Sequence, residues 1–151
     1  MSHFIYNKII FLKKDSKYNS LLINLFITRI LKNGKKSLAT FLFYKTLTVL
    51  KKRTKKFLKL IERVIKKIRP KSRLRELSKK KGSKTAVVKY ELLKSVKIAI
   101  KWLIRNAIKR SKKPFYINLA NEIYDVFKGR GLTFRQTKDY HKHIRIKKTA
   151  L

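Results

Sequence analysis

Glu122 and Asp125, three residues apart, are the two acids in this sequence that would share a helix face, and a pair at that spacing could act as acid and base. The remaining acids, Asp15, Glu62, Glu76, Glu91 and Asp139, lie scattered among 43 Lys and Arg. In such surroundings the pair is expected to answer nearby lysines rather than to move protons. Asp139-Tyr140-His141-Lys142-His143 holds the other arrangement with chemical potential, a His-x-His of the kind imagined in a nuclease or a metal site. It has no Cys and no neighbouring carboxylate pair, so His141 is expected to face a phosphate or to pack. There is no glycine-rich phosphate loop. The chain has no cysteine, which removes thiolate catalysis, disulfides and zinc ribbons and leaves the redox compartment open. No catalytic, metal or cofactor site is expected.

What remains is the chemistry of cations. With only seven acids the formal charge is +36, and a globule carrying it would repel itself unless a polyanion neutralised it. Nucleic acid is the first candidate, because its condensed counterions are released when lysines replace them. An anionic membrane surface is the second. Hydrophobic residues make up 44% of the 151, enough for one domain with a core, so a disordered basic tail is excluded.

The cations need elements to hold them. Residues 1–19 show no sustained period and are expected to form a basic arm, with a turn at Asp15 and Ser16. Ser20 is a plausible N-cap for a helix whose apolar stripe is Ile23, Phe26, Ile27, Ile30 and Leu31, and Asn33-Gly34 ends it. A second helix starts near Lys36, with Ala39, Leu42, Phe43, Thr46, Val49 and Leu50 on one side. A third starts at Phe57 and runs until Pro70 stops it, with Leu60, Ile61, Val64, Ile65 and Ile68 inward. Between Pro70 and Leu92 the period changes around a basic, turn-like run at 78–84, which predicts a β-hairpin over about 72–90.

A fourth helix, about 92–110, carries the clearest pattern. At 100° per residue Val96, Ala99, Ile100, Leu103 and Ala107 cluster, while Lys94, Lys97, Lys101, Arg105 and Lys109 occupy an arc of roughly 120° opposite. A merely solvated face would interleave Glu with Lys; like charges at i, i+4 destabilise an isolated helix, so this stripe is expected to be a binding face. A fifth helix follows Pro114 and closes at Gly129-Arg130-Gly131. Residues 132–151 are basic with faint periodicity and are expected to give a short helix and a tail. No stretch approaches the roughly 20 apolar residues of a membrane span, since 21–31 is interrupted by Asn24, Thr28 and Arg29. The start has neither a secretory signal pattern nor an Arg before position 29, so the chain is expected to be soluble or peripheral and to lack an import peptide.

The run Arg29-Ile30-Leu31-Lys32-Asn33-Gly34-Lys35-Lys36-Ser37-Leu38-Ala39 resembles the signature segment of the small-subunit ribosomal protein seven family in its bacterial and organellar form. Asp15 and Tyr18 resemble the acidic-x-x-aromatic pair that precedes its first helix. Ile98-Ala99-Ile100-Lys101-Trp102-Leu103 resembles its core around a Trp, and Asp139-Tyr140-His141 its Asp-Thr-His. The resemblance implies a mainly α fold: about six helices in a bundle, with a basic β-hairpin protruding between the third and fourth. It implies an RNA-bound scaffold without enzymatic activity. This scaffold would bind the 3′ major domain of small-subunit rRNA, nucleate head assembly and lie near the tRNA exit site and mRNA exit channel. Implied neighbours are head proteins nine, thirteen and nineteen and platform protein eleven, with tRNA and mRNA near the hairpin and no membrane partner. Carried across by position, the implied rRNA-binding residues are Lys32, Lys35, Lys36, Arg73, Arg75, Lys79, Lys80, Lys84, Arg105, Lys109, Arg110, Arg135 and His141, whereas Trp102 is core. The family's paired glycines near the hairpin tip are here Lys80 and Lys81, a strand Pro is Val87, and its aromatic C-terminal end is replaced by a lysine-rich one.

Lys over Arg, and abundant Ile, Leu, Asn, Phe and Tyr with four Gly and two Pro, match AT-rich codons. An organellar coding genome is therefore expected, with a place in the mitochondrial matrix and the plastid as the alternative. A histone-like DNA compactor and a cationic membrane-surface protein are the readings from other classes.

Overall fold

The computed structural model describes residues 13–76, 85–110 and 112–150. Among these, six helices and one two-stranded ribbon follow in the order α1 (Leu21–Ile30), α2 (Lys36–Arg53), α3 (Phe57–Ile68), β1 (Ser72–Glu76), β2 (Thr85–Lys89), α4 (Leu92–Lys109), α5 (Phe115–Phe127) and α6 (Leu132–Ala150). The mainly helical fold with a hairpin between the third and fourth helices is thus the one expected. No described helix is long and apolar enough to cross a membrane.

Local chemistry sets the boundaries. Ser20 stands in extended conformation and its Oγ accepts from the Ile23 N–H, which satisfies one free donor of the first turn of α1. That helix stops at Ile30, and the reversal into α2 needs two consecutive left-handed residues, Asn33 (φ 51°) and Gly34 (φ 71°). Asn and Gly are the residues that adopt this region most readily. Pro70 lies two residues beyond the end of α3, where it cannot continue the helical bonding.

The central helix is α5. Its Leu119, Ala120, Ile123 and Val126 are fully buried, and it packs against α2, α3, α4 and α6. Around it Phe26 of α1 stacks on Phe43 of α2 with centroids 4.8 Å apart, an overlap that joins the first two helices to the common core. Residues 13–19 do not stand off as an arm. Asp15 is buried and accepts from the Lys17 and Tyr18 N–H groups at 3.1 and 3.0 Å and from the Tyr44 hydroxyl at 2.8 Å. Tyr18 then meets Tyr44 and Phe57 edge-on. A short acidic side chain closing its own turn carries the chain onto α2; residues 1–12 of the expected arm lie outside the described residues.

The C-terminal expectation needs a larger correction: 132–150 is one helix of 19 residues, not a short helix and a tail. Its inward stripe is Thr133, Thr137 and Ile144, with Tyr140 and His141 half-buried. Two of these are threonines, so a reading of apolar period alone misses the face. Burial is tolerated because the Thr137 hydroxyl donates to the Thr133 carbonyl at 2.9 Å.

Candidate nucleic-acid interface

Three of the cationic stretches around this core hold the residues expected to meet RNA. The first is the α1–α2 turn, where Lys32, Lys35 and Lys36 are all exposed. Lys35 is the N-cap of α2 and makes no side-chain capping bond, and no acid lies in the first turn. The second is α4, whose Lys94, Lys97, Lys101, Arg105 and Lys109 are exposed while Ala99, Ile100, Leu103 and Ala107 are buried, as the 3.6-residue period requires. Only Lys94 has a described acidic partner, Glu91, at 3.7 Å. Arg29 of α1 and Lys97 of α4 border one hollow of about 190 Å³ floored by Leu25 and Ile100, so a further cation of α1 faces the α4 stripe.

The third stretch is the root of the hairpin against α6. The strands pair antiparallel in the register Ser72↔Lys89 to Glu76↔Thr85, so Arg73 and Arg75, two apart, project to the same side and are exposed. The Tyr140 hydroxyl of α6 donates to the Ser72 carbonyl at 2.9 Å, and its ring lies edge-on to Trp102 at 5.3 Å. Strand, α6 and α4 are thereby fixed to one another, and Trp102 is a buried spacer between them. Arg135 is exposed on the first turn of α6. It sits beside Gln136, whose Oε1 accepts from Asn106 of α4 at 2.9 Å, so Arg105 and Arg135 stand on adjoining helices. Lys79, Lys80 and Lys84 lie outside the described residues.

Arg110 differs from the others. Its Nη2 lies 2.7 Å from Glu122 and 2.6 Å from Asp125, and Asp125 also accepts from Arg130 at 3.2 Å. Burial works against its charge, but the Asp125 hydrogen bond and the two carboxylate charges outweigh that and push its pKa up. The two acids expected to answer lysines answer arginines instead. On the helical wheel Arg110 falls roughly 160° from Lys94, off the cationic stripe, and that offset was readable in the sequence. Glu122 is fully buried, and its Oε1 accepts from both the N–H and the hydroxyl of Thr133 at 2.8 Å. Its Oε2 meets Arg110 closely but outside hydrogen-bond alignment, so charge rather than direction makes that contact.

His141 and His143 lie on α6, where residues two apart point about 200° from each other and cannot grip one ion. Among the described residues no three His, Asp or Glu converge. Burial lowers the pKa of His141, and the charges of Lys71 and Arg145 lower it further; its Nε2 is enclosed. A histidine with a depressed folded-state pKa binds fewer protons folded than unfolded. Its contribution is therefore whole above pH ~6.5 and is lost as the pH falls from there toward the folded value. We expect an NMR titration of the free protein to place His141 below 6.5, and His141→Asn to flatten the loss of stability in that window. A midpoint at or above 6.5 would contradict the burial argument.

The family model described as "Ribosomal protein S7p/S5e" matches residues 5–148. Among curated relatives, the small ribosomal subunit protein uS7 of Thermosynechococcus vestitus is 31% identical over 131 residues, covering 85% of this chain and 83% of its own length. The small ribosomal subunit protein uS7c of Euglena longa is 33% identical over 133 residues, covering 87% and 75%. The uS7 protein of Desulfosudis oleivorans is 31% identical over 131 residues, covering 85% and 83%.

Proposed function

The chain belongs to the ribosomal protein S7p/S5e family, and from that premise we propose that it is a structural constituent of the small ribosomal subunit that works by holding rRNA. The observation that carries this reading is the α4 stripe, five exposed cations of one sign directly behind a buried apolar face. Such a face suits the phosphates and 2′-hydroxyls of structured RNA, which are recognised by shape without a base-reading helix. Its site is the set of exposed cations at Lys32, Lys35, Lys36, Arg73, Arg75, Arg105, Lys109 and Arg135; Lys79, Lys80 and Lys84 complete the set that the family resemblance implies. His141 stands beside them half-buried, with its Nε2 enclosed, and supports that surface by packing. Arg110 shares its charge with Glu122 and Asp125, so it contributes to this surface mainly by fixing the end of α4.

Within the subunit the target is the 3′ major domain, binding nucleates the head, and the hairpin reaches toward the tRNA and mRNA exit region. Head proteins nine, thirteen and nineteen and platform protein eleven are the neighbours. An AT-rich organellar genome agrees with the lysine- and isoleucine-rich composition; the mitochondrial matrix is the compartment proposed, with the plastid the alternative. The family is structural, and no step of chemistry is assigned to any residue.

Salt dependence tests the mechanism. Each phosphate neutralised adds about 0.7 to 0.9 to the slope of log affinity against log salt, so the eight exposed cations engaged together give a slope of about −6 to −7 on a transcribed 3′ major-domain fragment. Duplex DNA is expected to compete poorly with that fragment, and the protein to sediment with the small subunit through moderate salt. Equal competition by duplex DNA would favour a nucleic-acid compactor instead.

A further inference from the structure

The α2–α3 turn and the last turns of α5 enclose a hollow of about 350 Å³ on a part of the surface that none of the implied rRNA-binding residues lines. Its floor is Leu60, Tyr124 and Phe127, and its rim is Arg53, Lys56, Lys59 and Arg63, with no acid among the described residues that line it. Periodicity makes the floor: Tyr124 and Phe127, three apart on α5, flank the fully buried Ile123 and Val126 and are left half-buried. Their ring centroids are 6.5 Å apart. The rim comes from the end of α2 and the exposed side of α3, where Lys59 and Arg63 are one turn apart.

The arrangement is partly pre-set. The Arg53 guanidinium lies 5.2 Å from the Tyr124 centroid and donates to Asn121 Oδ1 at 2.5 Å, while Lys128 Nζ lies 5.5 Å from the same ring. Two cations around one aromatic ring, Arg53 and Lys128, are ordinary packing. Three further cations converging on the same apolar hollow repel one another, and the fold gains nothing from collecting them unless an anion enters. An anion with a flat apolar body fits both halves of the site. Lys59 and Arg63, with Lys66, Arg69 and the single acid Glu62, also border a second hollow of about 600 Å³ floored by Leu22, Leu92 and Val96, on the side where α4 begins. A strand crossing that α3 ridge would pass between the α4 end of the molecule and the aromatic floor.

We propose that this hollow holds one unpaired nucleotide of RNA, its base against Tyr124 and Phe127 and its phosphate among Lys56, Lys59 and Arg63. The inference rests on the RNA-holding function above and adds to it a stacked, single-stranded contact. An acidic peptide would satisfy the rim but leave the two rings without a flat partner.

The test uses the full chain with two labelled probes, oligouridine and an RNA duplex of equal length. Tyr124→Leu keeps the apolar packing and removes the aromatic face, so oligouridine affinity is expected to fall roughly tenfold while duplex affinity holds. Lys56→Ala, at an exposed position, is expected to lower the salt slope for oligouridine by about 0.7. A loss of equal size on both probes, or no loss on either, overturns the proposal, as does competition by oligoglutamate as strong as that by oligouridine. Should the leucine variant fail to fold, a thiouridine-substituted oligonucleotide photocrosslinked to the wild-type chain gives the same decision. Adducts on Tyr124 or Phe127 support the site; adducts confined to other residues overturn it. Failure of the parent reading looks different, since there the wild-type chain would not hold the 3′ major-domain fragment at all.

Discussion

Glu122→Ala is expected to destabilise the protein by about 3 kcal/mol, more than any surface substitution, because the side chain it removes is fully buried. The carboxylate joins three helices: it lies on α5, receives the Thr133 N–H and hydroxyl at the start of α6, and neutralises Arg110 at the end of α4. Alanine would leave Arg110 with Asp125 as its one remaining described acid and strip the first turn of α6 of its acceptor. Because Arg110 is 27% exposed and keeps Asp125, the cost falls at the low end of the range for broken buried pairs. Glu122→Gln retains an acceptor for Thr133 and loses the charge, so about half that cost is expected. Urea titrations followed by circular dichroism at one moderate salt concentration separate the two variants. A Glu122→Ala midpoint close to wild type would mean that α6 is held by its packing alone.

That site also marks where the sequence could and could not be read. Helices α1 to α5 and the hairpin were legible because each has an apolar stripe or a period change bounded by Ser, Gly or Pro. Along α5 the same period puts Glu122 among Leu119, Ile123 and Val126, a charge on the core face, and such a charge demands a partner. Which partner was not legible, since Arg110 lies twelve residues back and Thr133 eleven ahead, across two loops. The inward side of α6 was hidden because threonines build it and their burial depends on a hydroxyl finding a carbonyl one turn earlier. The cationic face of α4 was legible in full. The hollow at Tyr124 was not, because its rim and floor come from segments some seventy residues apart, joined through Arg53 and Asn121.

Reversing two charges at the α1–α2 turn, Lys35→Glu with Lys36→Glu, is expected to weaken binding to the 3′ major-domain rRNA by one to two orders of magnitude and to stall head assembly. The same change should make the free protein slightly more resistant to urea. The opposite signs follow from where the lysines stand. A helix N-terminus carries partial positive charge and unsatisfied N–H groups, so acids there stabilise and cations oppose the dipole. Lys35 is the N-cap and Lys36 the first residue of α2, neither caps it through a side chain, and no acid offsets them. By contrast α1 begins at a serine that accepts from its own first turn. The turn therefore holds its lysines at a cost to α2, and in the function proposed above the same exposed donors and charges would receive a phosphate. Losing two phosphate contacts lowers the salt slope by about 1.4 to 1.8, and the new carboxylates add repulsion on top of that loss. Lys35→Gln with Lys36→Gln should fall between, while arginine at both positions should bind as wild type. Affinity unchanged by the glutamates would remove this turn from the interface. Weaker binding accompanied by a lower urea midpoint would instead assign the lysines to the fold.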